Sequence, residues 1–160
     1  PISANDFINY VEKGLYHNQG FYRIVRKDND QGSPRIDVVQ GGLLGENKGL
    51  SPVKHETTKI TGLTHKRGVI SLARGKVGTG SAAYFFIVVN DSPALDFGNT
   101  RNLDKMGFAA FGKVIEGMEI IDQIHQTPSA NLIGEGYTKN QILEQPIIIL
   151  KSQIVKKTLD

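Results

Sequence analysis

A mainly β single domain, arranged as a closed barrel or a sandwich with a few helices, is the fold class this 160-residue chain predicts. Short apolar runs of strand length recur from Phe21 onward, separated by Gly, Asn, Asp and Pro. Helical spacing of apolar residues, in contrast, occurs at only two places. The 18 glycines supply tight turns, and a chain of this length buries about 70% of its unfolded surface, enough for one core.

The elements follow in order. Ser3 is suited to capping a helix that carries Phe7, Ile8, Val11 and Leu15 near helical spacing, with Gly14 as its stop. Strands are expected at residues 21–25, 36–39, 69–73, 84–89, 108–114 and 147–155. A second helix is expected from Met118 through Ile120, Ile121 and Ile124 to about Gln126, ahead of Pro128. Residues 26–35 and 42–64 read as long loops, which in a compact domain usually carry function or family-specific elaboration. No internal repeat or low-complexity linker divides the chain, so residues 1–160 are expected to form one domain.

Composition excludes several function classes. The net charge of +3 comes from scattered basic residues, and the basic and aromatic stripe of a nucleic-acid-binding barrel is lacking. The chain has no cysteine, which removes disulfides, thiolate nucleophiles and cysteine metal sites. The four histidines are dispersed, and His55-Glu56 is followed by Lys59 where a zinc helix needs its second histidine; no metal site and no cofactor are expected. The run from Gly75 to Ser81 lacks the Gly-Lys-Ser/Thr ending of a phosphate loop and reads as a turn. Ser71 and Ser81 lie outside any nucleophile-elbow sequence. No apolar run reaches transmembrane length, so membrane insertion is not expected.

The chemical signal is Arg23, a charge inside the apolar run Phe21-Tyr22-Arg23-Ile24-Val25. A charge there is costly unless it has a task. Alternation puts Arg23 with Phe21 and Val25 on one strand face, Val38 with Gln40 on another, and Tyr84, Phe86 and Val88 on a third. Neighbouring strands would then gather a guanidinium, an amide and an aromatic ring on one apolar surface. Taken alone, Arg23 also suits a snorkelling strand residue or an ordinary ion pair, and Phe85 and Phe86 suit a plain core.

The order of Phe21-Tyr22-Arg23-Ile24-Val25, Gln40-Gly41-Gly42, Tyr84-Phe85-Phe86-Ile87-Val88-Val89 and the segment from Gly107 to Met118 resembles the cyclophilin-type peptidyl-prolyl cis/trans isomerases, of the bacterial kind, over nearly the whole chain. The resemblance implies a closed eight-stranded antiparallel barrel capped by two α-helices, and an enzyme that rotates X-Pro bonds in proline-containing polypeptides without a cofactor, assisting protein folding. Arg23 matches the catalytic arginine. Val38, Phe86, Leu95 and Phe108 match the proline pocket, Gln40 the group that holds the substrate backbone, Ala73 and Arg74 the contacts to residues before proline, and Tyr84 a further substrate position. A monomer is the family's expected state, and an exported or periplasmic location is favoured over the cytoplasm.

Departures from the family pattern carry expectations of their own. Asp37 stands where a pocket phenylalanine is usual, Tyr22 replaces a histidine, Tyr84 a glutamine, and Ala94 a tryptophan frequent in eukaryotic members. The family's first strand hairpin has no counterpart ahead of Pro1, which points to an N-terminally trimmed chain. The alternative from another class is a proline-motif binding module that keeps the groove but not the turnover.

Overall fold

In the computed structural model, residues 1–130 and 133–156 are described. Helix α1 spans Ile2–Glu12, and Gly14 follows it at φ +64°, the left-handed geometry that ends a helix at little cost to glycine. Ser3 is not the cap: the helix begins one residue earlier, and Ser3 donates its amide and hydroxyl hydrogens to Glu56 at 2.7 and 2.9 Å. Strand β1 is Gln19–Val25, β2 Val38–Gly42 and β3 Val53–Lys54; the single-turn helix α2 is Thr58–Thr61. Then come β4 at Val69–Ala73, β5 at Thr79–Val88, a 3-10 turn at Pro93–Leu95, β6 at Ala109–Lys113 and α3 at Met118–Gln126. A second 3-10 turn, Gly136–Thr138, precedes β7 at Ile142–Ile149.

The strands form one seven-stranded antiparallel sheet in the order β6-β4-β5-β2-β1-β7, with β3 paired to the start of β5. The expected closed eight-stranded barrel is therefore corrected. Among the described residues the path ends at β6 on one side and β7 on the other, with no ladder joining them, and a barrel exists only when both edges are paired. The expectation of two helices is corrected too, because the loop 42–64 contains both α2 and the short strand β3. The expected strand at 147–155 starts earlier and stops at Ile149. Glu144, Gln145 and Pro146 hide its first half from an apolar pattern, and an edge strand tolerates that proline because it pairs on one side only.

Both faces of the sheet carry apolar residues. Under α1, Tyr10, Val11, Tyr16, Leu72 and Phe85 pack together, and beside them Val39, Ile87 and Val89 pack against Ile121 and Ile124 of α3. The opposite face holds Val25, Ile36, Val38, Phe86, Val88, Ala94 and Leu95. Alternation along β5 makes this division, since Phe85 and Ile87 point to the helices while Phe86 and Val88 point away. Burying side chains of this size contributes about 1.5–3 kcal/mol each. Among the described residues no helix is long and apolar enough to cross a membrane.

Candidate functional site

The helix-free face of the sheet carries a cleft of about 410 Å³. Phe86 of β5 and Val38 of β2 form its floor, Leu95 and Phe108 one wall, and Arg23 and Gln40 stand at its polar end. Register explains the meeting: Arg23 is opposite Gln40, and Gln40 opposite Phe86. The Phe86 and Phe108 rings meet edge to face, with centroids 5.4 Å apart.

One detail of β1 departs from simple alternation. The pairing with β2 shifts between Phe21 and Arg23, leaving Tyr22 as an extra residue. Phe21 consequently points into the cores below the helices and packs against Phe85, whereas Arg23 and Val25 line the cleft. The expectation that Phe21 shares a face with Arg23 is thereby corrected, and the bulge is what turns the guanidinium outward.

Arg23 is held by neutral groups. Its Nη1 donates to Gln40 Oε1 at 2.9 Å, while Nε and Nη2 donate to Gln141 Oε1 at 2.9 and 2.7 Å. The Tyr137 ring lies 5.3 Å from the guanidinium carbon. Among the described residues no carboxylate forms an ion pair with Arg23. Burial pulls its pKa down from the usual arginine value, but a guanidinium stays charged at any physiological pH.

The cleft also gathers Ala73 and Arg74 from the end of β4. The Arg74 side chain is turned onto the Phe108 ring at 5.2 Å and clamped by Asp104 through bonds of 2.6 and 2.8 Å. Seven of the eight expected substrate-binding residues thus share one cleft with Arg23: Val38, Gln40, Ala73, Arg74, Phe86, Leu95 and Phe108. Tyr84 does not line it; its ring meets the edge of Tyr22 near the end of β2, with centroids 6.5 Å apart.

Asp37 shows how the pocket stays apolar. Its carboxylate turns toward α3, accepting from Asn90 at 3.3 Å with His125 Nε2 at 3.7 Å, and the cleft is lined instead by its neighbours Ile36 and Val38. A shift of one position places an aliphatic side chain where the family resemblance led us to expect a phenylalanine. Ile36 belonged to an expected strand, yet nothing in a run of apolar residues says which of them reaches a cleft.

Other contributors lay outside the sequence reading. The 26–35 loop lends Asp30, Gln31 and Gly32 to the cleft, and the segment before Phe108 lends Arg101 and Asn102. Arg101 joins the two, donating to both oxygens of Asp30 at 2.8 and 2.9 Å and to the Pro34 carbonyl at 2.7 Å. Beneath the floor, the His65 ring stacks on Phe86 with centroids 5.9 Å apart; its Nδ1 lies 2.7 Å from Asp96 and its Nε2 3.0 Å from Ser71 Oγ. Burial lowers the His65 pKa although Asp96 opposes the shift, so the neutral ring donates from Nδ1 and accepts the Ser71 hydroxyl. Ser71 is fully buried, which makes it a support for the floor and not a nucleophile. Apart from His65 and Ser71, six residues apart, these partners are distant in sequence, and no local pattern announces them.

A family model described as cyclophilin-type peptidyl-prolyl cis-trans isomerase/CLD matches residues 1–154. Peptidyl-prolyl cis-trans isomerase A of Dickeya dadantii (strain 3937) is 34% identical over 160 residues, covering 98% of this chain and 75% of that protein. A peptidyl-prolyl cis-trans isomerase of Acinetobacter baylyi is 32% identical, covering 96% of this chain and 74% of its own length. Among solved structures, a Cryptosporidium parvum cyclophilin-type isomerase superposes with a TM-score of 0.58 at 22% identity, over 91% of this chain and 81% of that one. The same protein crystallised in the presence of the dipeptide Ala-Pro superposes equally well, over 84% of its length. At this identity the structural likeness concerns the fold.

Proposed function

The chain belongs to the cyclophilin-type peptidyl-prolyl cis-trans isomerase family, and from that premise we propose that Arg23 is the residue that accelerates rotation about X-Pro bonds. The protein is a peptidyl-prolyl cis-trans isomerase. Rotation must suspend amide resonance, a barrier of about 18–20 kcal/mol, and the uncatalysed exchange takes tens to hundreds of seconds. No covalent intermediate is required. As the bond twists, the prolyl nitrogen pyramidalises and regains a lone pair, which a fixed N–H donor stabilises only in that twisted state.

The observation that carries the reading is the guanidinium of Arg23 standing at the polar end of a cleft floored by Phe86, held by amide oxygens that leave its charge intact. In this reading the proline ring lies on Phe86 and Val38 between Leu95 and Phe108. Gln40 orients the peptide backbone, and Ala73 with Arg74 bounds the residues before proline. The substrates are proline-containing polypeptides, taken up by a monomer without nucleic acid or a lipid surface.

The test compares wild type with Arg23→Ala on a short Ala-Pro peptide, following exchange between its two isomers by magnetisation transfer. Loss of one preorganised donor typically costs about 10²–10³ in rate, and a loss of that order is expected here with little change in peptide affinity. Wild-type turnover by Arg23→Ala would remove Arg23 from the chemistry.

A further inference from the structure

Resting on the assignment of Arg23, we propose that Gln141 is a second, positioning residue of the reaction: it aims the Arg23 guanidinium and keeps its charge unquenched. Gln141 precedes β7 and is wholly buried. One oxygen, Oε1, accepts both Nε at 2.9 Å and Nη2 at 2.7 Å, a two-point grip that fixes the plane of the fork. A guanidinium offers five N–H donors. Gln141 takes two and Gln40 one, which leaves a hydrogen on each terminal nitrogen for substrate.

The orientation of the Gln141 amide is dictated by its surroundings. Arginine has no acceptor, so the oxygen must face it, and the amide nitrogen then donates to the Asn29 carbonyl at 3.0 Å. Its main-chain carbonyl meanwhile accepts from the Ile24 amide at 2.7 Å, tying it to the residue next to Arg23. A buried polar side chain satisfied at both ends in this way has one rotamer available.

The choice of amide over carboxylate is what links Gln141 to chemistry and not to folding alone. A carboxylate in its place would grip the fork more tightly and cancel the positive charge that the pyramidal nitrogen feels. Two other ions of the cleft, Asp30 and Arg101, are paired with each other and act on Arg23 in opposite senses.

The test measures isomerisation kinetics for Gln141→Leu and Gln141→Glu beside wild type and Arg23→Ala, with folding of each checked by its amide proton spectrum. Gln141→Leu removes the grip; a misplaced catalytic group costs up to about 10²-fold, so kcat should fall by about 10- to 100-fold while KM stays within about 2-fold. Gln141→Glu preserves shape. At neutral pH its kcat should fall and then climb as the pH is lowered and the new carboxyl protonates, whereas the wild-type profile stays flat over that range. Should Gln141→Leu fail to fold, Gln141→Glu decides alone. Wild-type kcat in folded Gln141→Leu, or in Gln141→Glu with a flat profile, overturns the inference. Its failure is distinct from failure of the Arg23 assignment, which shows as a fully active Arg23→Ala.

Discussion

Replacing Asp30 with Ala should unfasten the 26–35 loop from the cleft, at a cost large enough to measure in stability and in substrate affinity. The Asp30 side chain is 1% exposed and that of Arg101 14%. Its two oxygens accept from the Gly32 and Ile36 amides, each at 2.9 Å, besides both terminal nitrogens of Arg101. Removing one member of a buried pair costs about 3–5 kcal/mol because the other charge is stranded. Arg101 retains some contact with water and the amides can hydrate, so about 4 kcal/mol is the reasonable figure, or roughly 8–16 °C in Tm for a domain of this size. Urea titration of Asp30→Ala, Arg101→Met and the double variant would read it. The pair should show a coupling of about 1–3 kcal/mol, because the second substitution removes the stranded charge. KM for a proline peptide should rise, since Gln31 and Gly32 line the cleft. Burial alone would push the Asp30 carboxyl up, but Arg101 and the two amides outweigh it and hold it below the usual range. The contribution is therefore complete above about pH 4, the ordinary aspartate value, and is lost as acid takes the pH down through the folded pKa. A cost under about 1 kcal/mol, or a coupling near zero, would refute this account of how the loop is held.

Three other outcomes are expected. Ile36→Ala should destabilise by about 2–4 kcal/mol and weaken peptide binding, while Asp37→Leu, facing α3, should leave KM per folded molecule unchanged; equal kinetic effects from both would mean that the cleft wall is misassigned. His65 and His55 are both depressed, chiefly by burial, so the folded protein binds fewer protons than the unfolded chain; stability should be full above about pH 6.5 and fall by up to about 1.4 kcal/mol per unit per histidine below it, a slope that His65→Gln reduces in denaturation curves taken from pH 8 to 5. Gly107→Ala should lose more than about 2 kcal/mol and raise KM, because at φ +64° its new Cβ would lie 2.5 Å from the Leu95 carbonyl oxygen, displacing a cleft wall; a wild-type melting curve would contradict it.

The sequence by itself determined much of this protein. Period-two alternation put Phe86 and Val88 on the side of the cleft and Phe85 and Ile87 on the side of the helices, because successive strand side chains must point oppositely. Gly14 marked the end of α1, and the spacing from Met118 located α3, because those signals depend only on neighbouring residues. Arg23 was legible as a charge costly to place inside an apolar run. Only the tertiary structure decided which groups hold it. The bulge at Tyr22 that turns it outward exists only against the register of β2, and Gln141, 118 residues away, meets it only through the pairing of β1 with β7. The same holds for the exchange of Asp37 for Ile36 at the cleft wall, the Asp30 and Arg101 clasp, and the open path from β6 to β7. Local pattern fixes which face a side chain takes along its own strand, whereas register, bulges and long-range polar partners are set by pairing energies between distant segments, which no window of sequence contains.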